Sequence, residues 1–377
     1  MDDQRLTRNP TARRHGPFPA WLDTIVDTSG VARARAVIAA WPGYAPTPLV
    51  ALPGLAHALG VASFHVKNEG RRFCVGSFKA LGPPYAFAQA VARVGRGAAA
   101  PIAVAATSGN HGRALAWGAA RCAARCRIFM PAHTSAGRAE AIQTLGAEVI
   151  RVPGNFDAAL EAACDEARHH PDRILVADLD DRDGDTTAIA RDIIAGYAVL
   201  ADELIEAPDF AHASHIFVAA GNGTLAAATV ARLWQGLGFA RPQVIAAEPR
   251  LSDCVRLSLA AGMPVTLADP GLSVMDGLVV GSPSRVAWPI LRDGLDAAAT
   301  VEDAEAIATL RALATGAYGD EPFEIGETGI AAIATAIAVA RDDTNRAALG
   351  IDRKSAVVAI ACEGVTDRTV FDKILRV

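Results

Sequence analysis

Lys79 stands where a reacting amine would be put. It lies in GSFKALG (76–82), behind a Gly-Ser turn and at the start of a helical stretch. A lysine opening a helix is by default a solvated surface residue, so its meaning depends on the turns that accompany it. Three turns share one pattern, an apolar strand, then small residues, then a helix: AATSGNHGRALA, AAGNGTLAAA and AIACEGVTD. Parallel α/β sheets bind ligands at such strand ends, where the helix start offers unpaired N–H groups. In the first turn Thr107, Ser108 and Gly109 present hydroxyls and amides suited to a carboxylate, and Asn110 adds a side-chain amide. In the second, Gly221 and Gly223 permit close backbone approach, Thr224 adds a hydroxyl, and the following helix points its dipole at an anion such as phosphate. The third ends its strand on Cys362. Each glycine turn alone is an ordinary strand–helix connection. The dinucleotide pattern GxGxxG fails here, because position 226 is Ala, which lowers the NAD reading.

An amine, a carboxylate turn and a phosphate turn together suggest one cofactor. Pyridoxal 5'-phosphate needs an amine for its aldehyde, a cup for its phosphate and a partner for its pyridine nitrogen.

The elements that must position these groups are legible as a rhythm. Short apolar runs (ASFHVKNE, PIAVAAT, CRIFMPA, AEVIRVPG, RILVADL, SHIFVAAG, PQVIAAEPR) alternate with alanine-rich helical periods. This alternation predicts an α/β protein with mainly parallel sheets, in two lobes. SFKALGPPYAFAQAVARV is expected to be helical, with a break near Pro83 and Pro84. The chain has 377 residues, half of them hydrophobic, which suits more than one small core. A formal charge of -5 argues against a broad nucleic-acid surface. The longest apolar stretch, GIAAIATAIAVA (329–340), is too short to span a bilayer and reads as a buried helix, so no membrane partner is expected. The polar, proline-containing N-terminus has no apolar signal core and is expected to be a partly mobile arm over residues 1–20. The six cysteines show no paired framework; Cys122 and Cys126 read as one helical turn apart, without the further ligands of a zinc site, so no metal is expected. Reduced thiols point to a cytoplasmic protein.

At this point the motifs resemble a known family. GSFKALG is similar to the lysine motif of the fold-type II pyridoxal-phosphate enzymes, the threonine and serine dehydratase group. TSGNHG resembles their substrate-carboxylate loop, and AGNGTL stands where their glycine-rich phosphate loop would be. NEGRRFCVGSFKALG, TSGNHGRALAWGA, EPRLSDCVRLS, VMDGLVVGSPSRVAWPILRDG, GETGIAAIA and CEGVTD narrow the resemblance to the diaminopropionate ammonia-lyases, from about residue 47 to the C-terminus. The stretch DGLVVGSPSRVAWPILRDG points to that branch most specifically. The resemblance implies two lobes with mainly parallel twisted sheets, a large cofactor-binding domain (21–88 and 199–377), a small domain carrying the carboxylate loop (89–198), an active site in the cleft between them, and a homodimer.

By position, the resemblance implies that Lys79 binds the cofactor aldehyde, Phe78 flanks the ring and Asn110 meets the phenolic oxygen. Gly221, Asn222, Gly223 and Thr224 hold the phosphate, and Cys362 stands beside the pyridine nitrogen, where a thiol leaves that nitrogen largely unprotonated. Thr107, Ser108, Gly109, Asn110 and His111 line the substrate carboxylate. The implied reaction is elimination of both amino groups of 2,3-diaminopropionate, a small amino-acid substrate, to pyruvate and ammonia. Lys79 takes the Cα proton, with a pKa expected to be lowered by its surroundings. An acid must protonate the leaving amine, and Asp178 in ILVADLDDRDGD is the best match, with Asp180 and Asp181 competing. One departure stands out: the ammonia-lyases resemble TDGNHG, with an acid for the D-isomer, whereas Ser108 stands here. That favours the L-isomer and keeps three alternatives open: a serine or threonine dehydratase, a biosynthetic β-eliminating or β-replacing enzyme, and a non-catalytic paralogue that binds cofactor or amino acid. Blander roles are expected elsewhere: His111 as a helix-start residue, Glu248 shaping a strand end, Asp276 and Gly277 in a turn, Glu327 and Thr328 near a helix start, and Trp117, Trp234 and Trp288 as packing residues.

Overall fold

The computed structural model describes residues 4–14, 16–94, 101–107, 109–178 and 185–376. Its strands are β1 (Leu6–Arg8), β2 (Leu49–Ala51), β3 (Ser63–Asn68), β4 (Ile102–Ala106), β5 (Cys126–Pro131), β6 (Glu148–Val152), β7 (Arg173–Leu175), β8 (His215–Ala219), β9 (Gln243–Pro249), β10 (Ala297–Val301) and β11 (Ala356–Ala361). Two compact units divide the chain. Unit 1 comprises Met1–Thr28, Ala45–Arg72 and Leu200–Val377, and unit 2 comprises Ser29–Tyr44 and Phe73–Val199.

Unit 1 carries a seven-stranded sheet in the order β1-β10-β9-β8-β11-β3-β2. Its five inner strands run parallel, and the three-residue β1 and β2 close the edges antiparallel. β8 and β10 are buried at every residue. Strands covered on both faces read as continuous apolar runs, which is why β8, β9 and β11 are legible in the sequence. Helices Thr224–Leu237 and Ala331–Arg341 are buried almost all round, the second being the apolar stretch expected to be a core helix. Their alanine content lets them lie close, and each buried Ile or Leu adds roughly 1.5–3 kcal/mol of apolar burial.

The end of β3 is pinned by a buried ionic cluster of balanced charge. Lys67 Nζ donates to Glu203 Oε2 (2.6 Å) and to the Thr47 carbonyl (2.8 Å). The Arg72 guanidinium donates to both oxygens of Glu69 and both of Glu203, at 2.7–2.8 Å. Burial alone would raise the Glu203 carboxyl, but Arg72 and Lys67 hold it down at about 2.

Unit 2 carries a four-stranded, all-parallel sheet in the order β6-β5-β4-β7. Helix Gly82–Val94 packs beside helix Asn110–Arg121. The break expected near Pro83 and Pro84 falls at Leu81, between the short turn Phe78–Ala80 and helix Gly82–Val94. The two prolines occupy the first turn of that helix, where a missing N–H costs nothing. The reading of Cys122 and Cys126 as helical neighbours is corrected: the helix ends at Arg121 and Cys126 opens β5. Among the described residues no helix is long and apolar enough to cross a membrane.

Candidate active site

Ser77 starts the lysine turn. Its backbone is extended, and its hydroxyl accepts the Lys79 N–H at 3.3 Å, capping the short turn Phe78–Ala80. Lys79 Nζ then donates to Asp178 Oδ2 at 3.1 Å, with side-chain exposures of 22% and 15%. The same ammonium lies 5.2 Å from the Phe78 ring centroid and 5.5 Å from that of Tyr197. The two rings are themselves 4.7 Å apart. Tyr197 is fully buried on helix Asp185–Glu206, and a Cβ added at Gly82 would meet its ring at 2.5 Å. The last glycine of GSFKALG is therefore required by a tyrosine 115 positions away.

These contacts decide the charge on the lysine. Burial by itself lowers the pKa of the ammonium, but Asp178 and Tyr197 outweigh it, and Lys79 is held above an ordinary lysine. The lowered pKa expected from sequence concerns the freed amine beside the cofactor ring; among the protein groups alone, the carboxylate sets the direction. His111 shows the opposite balance. Burial first and the Lys79 charge second push it down to about 4, while its Nε2 donates to the Val176 carbonyl at 2.8 Å. It is neutral at pH 7.

The carboxylate turn follows β4. The Thr107 hydroxyl accepts the Gly109 N–H at 3.1 Å, and Asn110 begins helix Asn110–Arg121. Arg113 Nη1, one turn on, donates to Asn110 Oδ1 at 3.4 Å, which turns the oxygen of that amide toward the guanidinium. Ser108, Asp180 and Asp181 lie outside the described residues.

In unit 1 the glycine turn follows β8. Gly223 has φ +82°, a left-handed conformation that favours glycine. Asn222 Oδ1 accepts the Thr224 N–H (3.1 Å) and the Thr224 hydroxyl (2.8 Å), so that hydroxyl donates within the loop. Gly221 and Asn222 are half-buried, and helix Thr224–Leu237 starts directly behind them. At the end of β11 the Cys362 thiol donates to the Thr328 carbonyl at 3.7 Å, and Glu363 Oε1 accepts the Thr328 N–H at 3.0 Å. Glu248 is fully buried at the end of β9, where it accepts the N–H groups of Val255 and Arg256 and caps helix Cys254–Ala261. Burial, first, raises its carboxyl well above the usual range. A groove of about 630 Å³ that includes His57, His65 and Arg353 lies at the start of β3, and no residue of the turns just described lines it.

Residues 40–363 match the family of pyridoxal-phosphate dependent enzymes. The chain belongs to that family. Among similar proteins, the diaminopropionate ammonia-lyase of Escherichia coli K12 is 31% identical over 346 residues, covering 86% of each chain. A crystal structure of the Escherichia coli diaminopropionate ammonia-lyase in complex with an aminoacrylate-PLP azomethine reaction intermediate superposes with TM-score 0.86 at 28% identity, over 98% of this chain and 96% of that one. The same enzyme in complex with D-serine gives TM-score 0.87 at 27% identity over the same shares. The fold is thus that of the fold-type II enzymes, and the cofactor is pyridoxal 5'-phosphate.

The residues present suit that cofactor. A half-buried lysine flanked by aromatic rings suits an aldehyde, and a turn without side chains at 221 and 223, ahead of a helix N-terminus, suits a phosphate. Unit 2 brings together Phe78, Lys79, His111 and Asp178, and unit 1 brings together Gly221 to Thr224. Sequence reasoning missed Tyr197 and Arg113. Gly82 was the one signal for the tyrosine. Arg113 lay within the quoted motif, but nothing there assigned it a partner.

Proposed function

We propose that this enzyme removes both amino groups of 2,3-diaminopropionate, the L-isomer favoured, to give pyruvate and two ammonia. The observation that carries the reading is the Lys79–Asp178 pair, an amine and a carboxyl 3.1 Å apart, in a chain similar over most of its length to ammonia-lyases of that substrate. When bound, pyridoxal 5'-phosphate supplies the electron sink that makes the Cα–H bond of an amino acid acidic. Lys79 would hold its aldehyde, Phe78 its ring, Asn110 its phenolic oxygen, and Gly221, Asn222, Gly223 and Thr224 its phosphate, with Cys362 beside the pyridine nitrogen. Thr107, Ser108, Gly109, Asn110 and His111 would receive the substrate carboxylate.

The proton work falls to two side chains. The freed amine of Lys79 takes the Cα proton, and Asp178 gives a proton to the β-nitrogen, because an amine leaves readily only as neutral ammonia. Since the two groups share a hydrogen bond, the proton gathered by Lys79 can reload Asp178. The Cβ–N bond breaks, and the three-carbon enamine left behind adds one water to yield pyruvate and the second ammonia. His111, held neutral, adds no charge beside the lysine.

The test is pyruvate release by the purified enzyme from L-diaminopropionate, D-diaminopropionate and L-serine in parallel. Release from the L-isomer with two ammonia per pyruvate is expected. Release from L-serine alone would move the enzyme to the dehydratases, the second reading, which Ser108 favours. Silence on all three would overturn both. We further propose a cytoplasmic homodimer: the resemblance implies the dimer, and six cysteines without a disulfide suit a reducing compartment. Light scattering checks the dimer.

A further inference from the structure

The stretch most particular to the ammonia-lyase resemblance, residues 276–294, has no task in the chemistry above. Within unit 1 it wraps the glycine turn. The Ser284 N–H donates to the Asn222 carbonyl at 2.9 Å. A Cβ added at Gly221 would stand 3.1 Å from Val280 Cγ2 and 3.3 Å from Leu278 Cα, and one added at Gly223 would stand 2.5 Å from Leu291 Cδ1. This one segment thus lies close against both glycines of the turn.

One buried hydroxyl meets three backbone groups of the segment. Ser252 is fully buried, three residues beyond β9 in the turn that follows it, and its N–H donates to the Pro249 carbonyl at 3.0 Å. Its Oγ accepts the Val280 N–H at 2.9 Å, and its hydrogen is shared between the carbonyls of Val280 (3.0 Å) and Leu278 (3.2 Å). Ser252 therefore clamps 278–280, the residues that lie against Gly221. An anion bound by several backbone N–H groups gains most when those groups are already aimed, because nothing then has to be ordered on binding.

We propose that Ser252 is a positioning residue for the cofactor phosphate, acting through residues 278–280 on the amides of 221–224. The inference rests on the cofactor assignment of the glycine turn made above. It makes Ser252 matter to the phosphate end of the cofactor and not to the aldehyde end.

The test compares two ligands that share the aldehyde and differ by the phosphate. Affinities of pyridoxal 5'-phosphate and of pyridoxal are measured by absorbance titration of the apo form of the full chain, wild type and Ser252→Ala. Losing the clamp is expected to weaken pyridoxal 5'-phosphate roughly tenfold and to leave pyridoxal within about twofold. Because Ser252→Ala leaves buried backbone groups unmatched and can lower stability, Val280→Ala serves as the second variant. It removes the half-buried side chain that backs Gly221, and about threefold selective weakening is expected. Equal weakening of both ligands, or no change in either variant, overturns the proposal. A wild-type chain that binds neither ligand overturns the cofactor assignment itself, and the inference with it.

Discussion

Asp178→Asn keeps the size of the side chain and removes both its charge and its capacity to carry a proton. Its Oδ2 lies 3.1 Å from Lys79 Nζ. At an effective dielectric of about 20, that separation corresponds to an attraction of roughly 5 kcal/mol before the cost of desolvation is counted. Without the carboxylate, burial acts on the ammonium with only Tyr197 opposing it, so the lysine pKa is expected to fall. If Asp178 protonates the leaving nitrogen, pyruvate release from L-diaminopropionate drops by roughly a thousandfold, within the span that a positioned acid supplies. β-Chloro-L-alanine loses chloride, which needs no proton, so its elimination is expected to drop no more than about tenfold. Both rates are followed as pyruvate at saturating cofactor. Equal losses on the two substrates would refute the acid role and leave Asp178 a partner of the lysine only.

Three other perturbations probe other parts of the molecule. Ser108→Asp restores the acid that the resembling ammonia-lyases carry and is expected to raise pyruvate release from D-diaminopropionate at least about tenfold; no gain would show that the isomer preference is set elsewhere. Arg72→Met strips Glu69 and Glu203 of their shared guanidinium, and urea unfolding is expected to show a loss of about 3–5 kcal/mol; a loss under about 1 kcal/mol would show that the cluster holds little. The depressed pKa of His111 links stability to acid. The unfolded side chain binds its proton near pH 6.5 and the folded one only near 4, so its contribution is whole above about pH 6.5 and is lost as the pH falls through 4, amounting to about 2 kcal/mol for this partly exposed ring. His111→Asn should flatten that part of the curve of unfolding midpoint against pH, and an unchanged slope would show that His111 titrates normally.

β8, β9, β11 and the buried helix at Ala331–Arg341 were legible because burial on nearly all sides writes apolar runs, whereas β10 went unread because AAATV looks like the alanine-rich helical periods around it. β1 and β2 were not, since LTR and LVA carry no period and are strands only through pairing with β10 and β3. The break near Pro83 and Pro84 was legible, but composition could not say that it separates a short turn from a helix beginning at Gly82. In the site, Lys79 announced itself through its motif, and Asp178 through its place in an acidic run. The sign of the lysine's pKa shift was not legible: apolar neighbours and a carboxylate pull in opposite directions, and only the 3.1 Å separation decides between them. Tyr197 sits in a helix whose alanine-rich pattern marks no residue as special; the space it needs is written at Gly82 instead.

The pairing of β3 with β11 carries a consequence for how the chain comes to be folded. Ser63 lies opposite Ala356, so β3 meets its parallel neighbour only once about 290 further residues have been made. β4 to β7, by contrast, all fall between residues 102 and 175. Contacts close in sequence cost less loop-closure entropy and form earlier, so the sheet of unit 2 has every strand it needs while the larger sheet still lacks an inner one. On a ribosome, the lysine-bearing part of the enzyme can assemble first, and the phosphate turn acquires its finished sheet only after β11 has been made.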